Sequence, residues 1–265
     1  MRRQLRKIKN YLDLTPPERS FNPDKSTIML VSYPKSGNTW LRFIFANLIQ
    51  DSSVGFSNIE KIVPDIYQTN KRAFKRSSYL YVKSHESFIT TYNRVVYVVR
   101  DPRDVFLSYF NYHKKIKVLP MDFSRELYLK MFLTGDIIES EKFGSWSQHL
   151  LSWYHVSKNE NVCFIKYEDL LHDTEKQIKK VVRFFNLDYK EQDIKSAIEN
   201  SSFRSMKTSE KIDGGRWRTL KKSRTNLSFV DKGKSERWKN ELTDTEKNLI
   251  CEHFKKGMKI FGYVK

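Results

Sequence analysis

Cysteine is all but missing from this chain, with only Cys163 and Cys251 among 265 residues. Two thiols cannot build the disulfide framework of a small secreted domain. Cys163 sits in the apolar run Val162-Cys163-Phe164-Ile165, so a buried, reduced thiol and a reducing, cytoplasmic compartment are expected. Nowhere do apolar residues run to the roughly 20 that a bilayer-spanning helix needs. The N-terminal bases Arg2, Arg3, Arg6, Lys7 and Lys9 are not followed by the apolar core of a signal peptide. The expectation is a soluble chain with neither leader nor transmembrane segment. Internal repeats are missing too, and so is the Gly-x-x-x-x-Gly-Lys-[Ser/Thr] pattern of a Walker A loop.

Acids are scarce beside bases: 31 Asp and Glu face 49 Lys and Arg, a net charge of +18. Such an excess suits nucleic acid, an anionic membrane surface or a polyanionic ligand, and selects none of them. Twelve of the bases and four of the acids fall between Arg204 and Lys239. What remains is ordinary for a globular protein, with 39% hydrophobic and 14% aromatic residues. The length accommodates one α/β domain or two small ones.

Residues 1–26, with Pro16-Pro17 and Asn22-Pro23, read as an N-terminal arm. Short apolar runs at Thr27–Ser32, Tyr79–Lys83, Val95–Val99 and Val162–Ile165 read as strands. Trp40, Leu41, Ile44, Phe45, Leu48 and Ile49 recur at helical spacing over 38–50, and a helix should follow Pro102. Thr174-Glu175-Lys176-Gln177 and Thr243-Asp244-Thr245-Glu246 have the form of capping boxes. The first box would open a helix burying Ile178, Val181, Val182 and Phe185, the second one burying Leu249, Ile250, His253 and Phe254. Residues 210–234, with Gly214-Gly215, Gly233 and no period, read as a long mobile lid loop. Strands alternating with helices predict a parallel central sheet flanked by helices, with the ligand beyond the carboxyl ends of the strands.

Those strand ends carry Tyr33–Trp40, Ser84-His85, Arg100-Asp101 and Lys166-Tyr167-Glu168. A strand feeding a glycine-containing turn and then a helix gathers backbone N–H groups at the positive end of a helix dipole. Lys35, Ser36, Asn38 and Thr39 add a cation and three polar groups. The segment reads either as an anion cradle or as an ordinary strand-to-helix turn with a surface lysine.

Tyr33-Pro34-Lys35-Ser36-Gly37-Asn38-Thr39-Trp40 resembles the 5′-phosphosulfate loop of the soluble, cytosolic-type sulfotransferases. That family uses 3′-phosphoadenosine 5′-phosphosulfate (PAPS) as sulfuryl donor, releases the desulfonated nucleotide PAP, needs no metal, and folds like a P-loop kinase. Val98-Val99-Arg100-Asp101-Pro102, with Ser108 eight positions after Arg100, resembles its 3′-phosphate motif. The resemblance implies that Lys35, Ser36, Gly37, Asn38, Thr39 and Trp40 hold the donor's 5′ end, and Arg100 and Ser108 its 3′-phosphate. Val82-Lys83-Ser84-His85 resembles the segment of the family's general base, implying His85 as base and Lys83 beside the acceptor. Lys166-Tyr167-Glu168 and Ser201-Ser202-Phe203 resemble adenine-side segments, implying that Tyr167, Ser201 and Phe203 touch the nucleotide and that Phe203 and Trp40 sandwich its base. Phe143-Gly144-Ser145-Trp146 with His149 is similar to a stretch bordering the acceptor pocket. Lys35 and Ser108 are expected to share in catalysis with His85, and the family's fold implies one domain over 1–265.

The resemblance, which spans roughly Thr27 to Thr243, breaks near the C-terminus. Lys232, Gly233, Trp238 and Lys239 match, implying donor contacts at Lys232 and Gly233, but Asp231 stands where an arginine would grip the 3′-phosphate. Arg224 or Lys234 could compensate. Asp244 and Asn248 depart from the animal enzymes' dimer motif, so that dimer is not carried over and the oligomeric state stays open. A bacterial member is expected, acting on a small-molecule, glycan or lipid acceptor and not on nucleic acid. Two other readings stay available: a magnesium-dependent kinase with Asp101 as its acid, and a nucleic-acid module built on the 204–239 tract.

Overall fold

The four apolar runs pair as strands in a computed structural model, which describes residues 22–50, 54–69, 79–137, 143–156, 161–230 and 233–265. Strands β1 (Ile28–Ser32), β2 (Tyr81–Ser84), β3 (Arg94–Val99) and β4 (Val162–Lys166) form one sheet in the order β2-β1-β3-β4. Every pairing is parallel. The β1–β3 ladder runs from Ile28 opposite Arg94 to Ser32 opposite Val98, so both strands end at the same edge.

Alternation then divides the core. Ile28, Leu30, Val96, Val98, Cys163 and Ile165 belong to one apolar cluster; Met29, Val31, Val95, Tyr97 and Val99 belong to another. Both faces of the sheet are therefore dry, as parallel sheets require. Cys163 is 1% exposed, and burial pushes its thiol pKa up to about 11, which makes it inert at neutral pH.

Helices cover both faces. In chain order they are α1 (Asn38–Ile49), α2 (Ile59–Ile62), α3 (Pro102–Lys115), α4 (Arg125–Thr134), α5 (Trp146–Tyr154), α6 (Tyr167–His172) and α7 (Thr174–Phe184). Then come α8 (Glu191–Asn200), α9 (Phe203–Asp213), α10 (Trp238–Glu241), α11 (Asp244–His253) and α12 (Lys255–Ile260). No described helix is long and apolar enough to cross a membrane. The Thr243 capping box forms as expected, with Thr243 and Glu246 bonded reciprocally. The Thr174 box does not. Asp173 caps α7 by accepting from the Lys176 N–H, while the Thr174 hydroxyl turns back to the Leu170 carbonyl. An aspartate one residue earlier is the better cap and displaces the threonine. On α11, Ile250 is buried and Phe254 follows it inward, but Leu249 is 42% exposed and His253 faces solvent.

The segment expected to be a loose lid begins later and is tied down. Residues 210–213 end α9, a 3-10 turn follows at Gly214–Arg216, and Trp217, Leu220 and Val230 are buried. Trp217 donates its indole N–H to Glu60, which also pairs with the fully buried Arg42 at 2.8 Å. Glu210 accepts from the backbone N–H groups of Phe229 (2.6 Å) and Val230 (2.8 Å), and Lys115 donates to the carbonyls of Arg224 and Leu227. No apolar period reveals such a loop, because charged side chains anchor it through backbone hydrogen bonds.

Glu210→Ala should strand those two N–H groups and remove the carboxylate 3.4 Å from the Lys115 ammonium, costing about 3 kcal/mol of stability. Urea unfolding measures this. An unchanged midpoint would show that the 224–230 leg is held by other contacts.

Candidate active site

The carboxyl ends of the strands open into a cleft of about 1010 Å³. Its floor is the turn after β1. Ser36 N–H bonds to the Tyr33 carbonyl, Lys35 is left-handed at φ 67° and Gly37 follows at φ 102°. A left-handed lysine costs on the order of 1 kcal/mol, strain of the kind stored at binding sites. Gly37 has a second constraint: a Cβ there would lie 2.4 Å from the Tyr167 ring. No side chain caps α1, and its first turn carries no acid. Its N-terminus is thus left positive. The Asn38 side chain reaches back to the Leu30 carbonyl (2.8 Å) and Ser32 hydroxyl (3.3 Å), pinning the turn to β1.

Arg100 and Ser108, eight residues apart across the β3–α3 corner, line the same cleft. The Arg100 guanidinium lies 4.2 Å over the Tyr167 ring and donates to the carbonyls of Lys35 (3.3 Å) and Lys234 (3.2 Å). Its Nε and the Ser36 hydroxyl are buried without a hydrogen-bond partner among the described residues. Buried orphaned donors are costly; both atoms are closed to solvent and Ser36 does not line the cleft, so an anion in the cradle would reach them only after the turn shifts. Lys35 Nζ lies 4.2 Å from the Tyr112 ring and 4.5 Å from that of Phe229.

His85 opens partly onto the cleft and is otherwise enclosed. Its Nδ1 donates to the Ser32 carbonyl at 2.7 Å, which leaves Nε2 as the unprotonated nitrogen. Burial first, then the Lys83 charge, holds its pKa well below the ordinary 6.5, so the ring is neutral at pH 7. Tyr67 stacks parallel to it with centroids 6.3 Å apart. Lys83 lines the cleft in a 2.6 Å ion pair with Asp65. Burial opposes ionisation of that carboxyl, but the charges of Lys83 and Arg42 prevail and hold its pKa at about 2.

Besides Ser36, which is fully buried and does not line the cleft, three expected contact residues lie behind the wall. His149 is fully buried: its Nδ1 accepts from Tyr97 and its Nε2 donates to the His85 carbonyl at 3.0 Å. Trp146 is 1% exposed and donates to the Arg100 carbonyl. Ser201, also fully buried, accepts the Trp40 indole N–H on its carbonyl and the Asn47 amide on its hydroxyl. Each supports a residue that does line the cleft. The expected sandwich is closed as well. Trp40 and Phe203 centroids stand 4.9 Å apart, whereas a base between two rings needs roughly 7 Å. Gly233, at φ 58°, packs against the Phe203 ring, where a Cβ would come within 2.6 Å.

Lys232 and Asp231 lie outside the described residues. Of the two bases expected to compensate there, Arg224 turns away to the Lys114 carbonyl while Lys234 lines the cleft. Arg237 joins it, and sequence reasoning passed over that residue. Asp65, Tyr67, Tyr112 and Trp217 were missed too, because each comes from a segment without a motif, and Phe229, which opens the C-terminal match, was given no role. Asp101, the acid on which a kinase reading depended, is engaged by Arg103 through both oxygens while capping α3.

The family model described as "Sulfotransferase domain" matches residues 25–262. Sulfotransferase 1A1 of Bos taurus is 23% identical over 95% of this chain and 90% of its own length. Sulfotransferase 1 family member D1 of Rattus norvegicus is 27% identical over 90% and 85%. Mouse sulfotransferase SULT7A1, solved in complex with PAP, superposes with a TM-score of 0.72 at 25% identity, covering 96% of this chain and 89% of that one. A retinol dehydratase solved with androsterone and PAP shares the fold at 19% identity, with a TM-score of 0.67 over 97% of this chain and 86% of that one. The curated relatives named here are mammalian and lend no support to the expected bacterial origin.

Two buried neutral histidines make stability depend on pH. His149 titrates at about 4, held down by burial, and His85 well below 6.5. Unfolded, each protonates near 6.5. Their contribution is therefore complete above pH 6.5 and is lost as pH falls from there toward 4, with a slope approaching about 2.7 kcal/mol per pH unit for the pair. Urea midpoints between pH 7 and 5 should fall on acidification; a flat profile would mean that the rings are charged in the native state.

Proposed function

The chain belongs to the sulfotransferase family, and from that premise we propose that it moves a sulfuryl group from PAPS to a hydroxyl or amine of its acceptor. The observation that carries this reading is a neutral His85, tautomer fixed by the Ser32 carbonyl, in one cleft with Lys35, Arg100 and Ser108. The 5′ end of the donor would rest on the turn from Lys35 to Thr39, and its 3′-phosphate on Arg100 and Ser108, which line the same cleft. Lys234, Arg237 and Lys232 are the candidates to replace the arginine that Asp231 displaces. Tyr167 would underlie the loop and Arg100, with Phe203, Gly233 and Trp40 bordering the nucleotide. Since Trp40 and Phe203 touch, the base would meet one ring face or require Phe203 to move.

Bound there, the donor substrate supplies an electrophilic sulfur joined to a phosphate leaving group. As the acceptor oxygen bonds to sulfur and the sulfur–oxygen–phosphorus bridge opens on the sulfur side, the acceptor's proton passes to His85 Nε2. Lys35 meets negative charge gathering on the bridging oxygen, an interaction strongest in the transition state. Ser108 assists there. His149 and Trp146 act as positioning residues, bracing the backbone of His85 and of Arg100. Residues 217–230 would cover the donor and exclude water. One domain over residues 25–262 would carry the whole reaction in the cytoplasm, with a small-molecule, glycan or lipid acceptor.

His85→Ala should abolish sulfuryl transfer while PAP affinity stays within several-fold, read by turnover and calorimetry; unimpaired turnover would remove His85 from its role. Arg100→Ala should weaken PAP by roughly 10²-fold, the loss of charge-assisted bonds to one phosphate, and 5′-AMP far less, through the lost tie to the Lys35 carbonyl alone. Equal losses for both nucleotides would contradict the 3′-phosphate assignment.

A further inference from the structure

The donor accounts for only part of the charge around the cleft. Nine Lys and Arg line it against a single acid, Asp65, which is already paired with Lys83. Lys35, Arg100 and Lys234 gather at the donor end, where Arg100 bonds to the carbonyls of the other two. Lys117, Arg218, Lys221 and Lys222 lie elsewhere. Arg218 donates to the Gln68 carbonyl, and the Thr219 hydroxyl accepts from the Gln68 side chain at 2.6 Å. Gln68 is next to Tyr67, the ring stacked on His85. From there the chain passes Lys221 and Lys222 and meets the end of α3, where Arg224 N–H bonds to the Lys115 carbonyl. Residues 218–222 thus border the acceptor side of the cleft from Gln68 to Lys117.

None of these four cations forms an ion pair with a carboxylate among the described residues, and all four are exposed. Lys117 is the most telling. It occupies the left-handed position after α3, at φ 65°, where glycine is favoured. Between them and His85 the walls are apolar and aromatic: Tyr67, Phe143, Ile116, Val118 and Trp217. Pockets of this kind take a ligand whose body is buried while a few polar groups fix its direction.

We propose that the acceptor is a small hydroxyl-bearing anion, with an aromatic or alicyclic body and a carboxylate or phosphate at the end away from the reacting hydroxyl. This rests on the donor and His85 reading given above. The body lies against the wall that Tyr67 and Phe143 form together, their rings edge-on at 5.6 Å, with its hydroxyl toward His85, and the anionic end meets Lys117, Arg218, Lys221 and Lys222. Such an arrangement selects by orientation: a neutral phenol fits the walls but has nothing to hold it with the hydroxyl inward.

The test is equilibrium binding to the PAP-saturated protein, which requires no turnover. The probes are 3-(4-hydroxyphenyl)propanoate and its neutral amide, titrated at low and high salt. The carboxylate should bind about tenfold tighter at low salt, as several exposed charge contacts allow, and the gap should shrink in high salt. Lys117→Gly, which relieves the left-handed lysine, should not lower the Tm yet should narrow the gap; Lys221→Gln with Lys222→Gln should narrow it further. Equal or tighter binding of the amide, or a gap that survives both variants, overturns the proposal. So does binding of neither phenol, whether or not an acidic oligosaccharide binds in their place. Failure to bind PAP at all would instead strike the donor reading on which the proposal stands.

Discussion

The Arg100 guanidinium joins three stretches of chain that are far apart in sequence. It bonds to the carbonyl of Lys35 after β1, bonds to the carbonyl of Lys234 in the C-terminal segment, and lies on the Tyr167 ring after β4. The β1–β3 register makes this possible, because both strands end at the same edge. A one-residue slip would turn every side chain of β3 to the opposite face and carry Arg100 away from the turn. Charge at one strand end thus organises the cleft, and the apolar ladder beneath holds it there.

Around that centre a second layer holds the first. Tyr97 bonds to His149, His149 to the His85 backbone, and the His85 ring to Ser32. Trp146 and Ser201 stand in the same relation to Arg100 and Trp40. Buried polar groups of this kind are costly unless fully partnered, so they are worth having only where they fix something. Here they fix a tautomer, a guanidinium and a ring. The strained Lys35 and the orphaned Ser36 and Arg100 atoms are where the protein gives up stability at the site itself.

The strands and the strand-end groups were legible because both leave local marks. An apolar run bounded by a Pro-Lys-Ser-Gly turn, or by Arg-Asp-Pro, is a signal within one segment. Direction was less legible. Trp146, His149 and Ser201 are near the site in space, as their motifs implied, yet they point into its wall, and nothing in a sequence tells a lining residue from the one behind it. The loop over 217–230 looked unstructured since its anchors, Glu210 and Lys115, act on backbone carbonyls and N–H groups that carry no side-chain signature. Asp65, Tyr67 and Arg237 reached the cleft through tertiary packing alone.

The central claim is that a nucleotide with phosphates at both ends lies across the β1 turn and the β3 end. A crystal structure with PAP bound measures this most directly. The account predicts the 5′-phosphate on the backbone N–H groups of the Lys35–Thr39 turn and the 3′-phosphate within hydrogen-bonding distance of Arg100 and Ser108. A 3′-phosphate held away from both residues would contradict it.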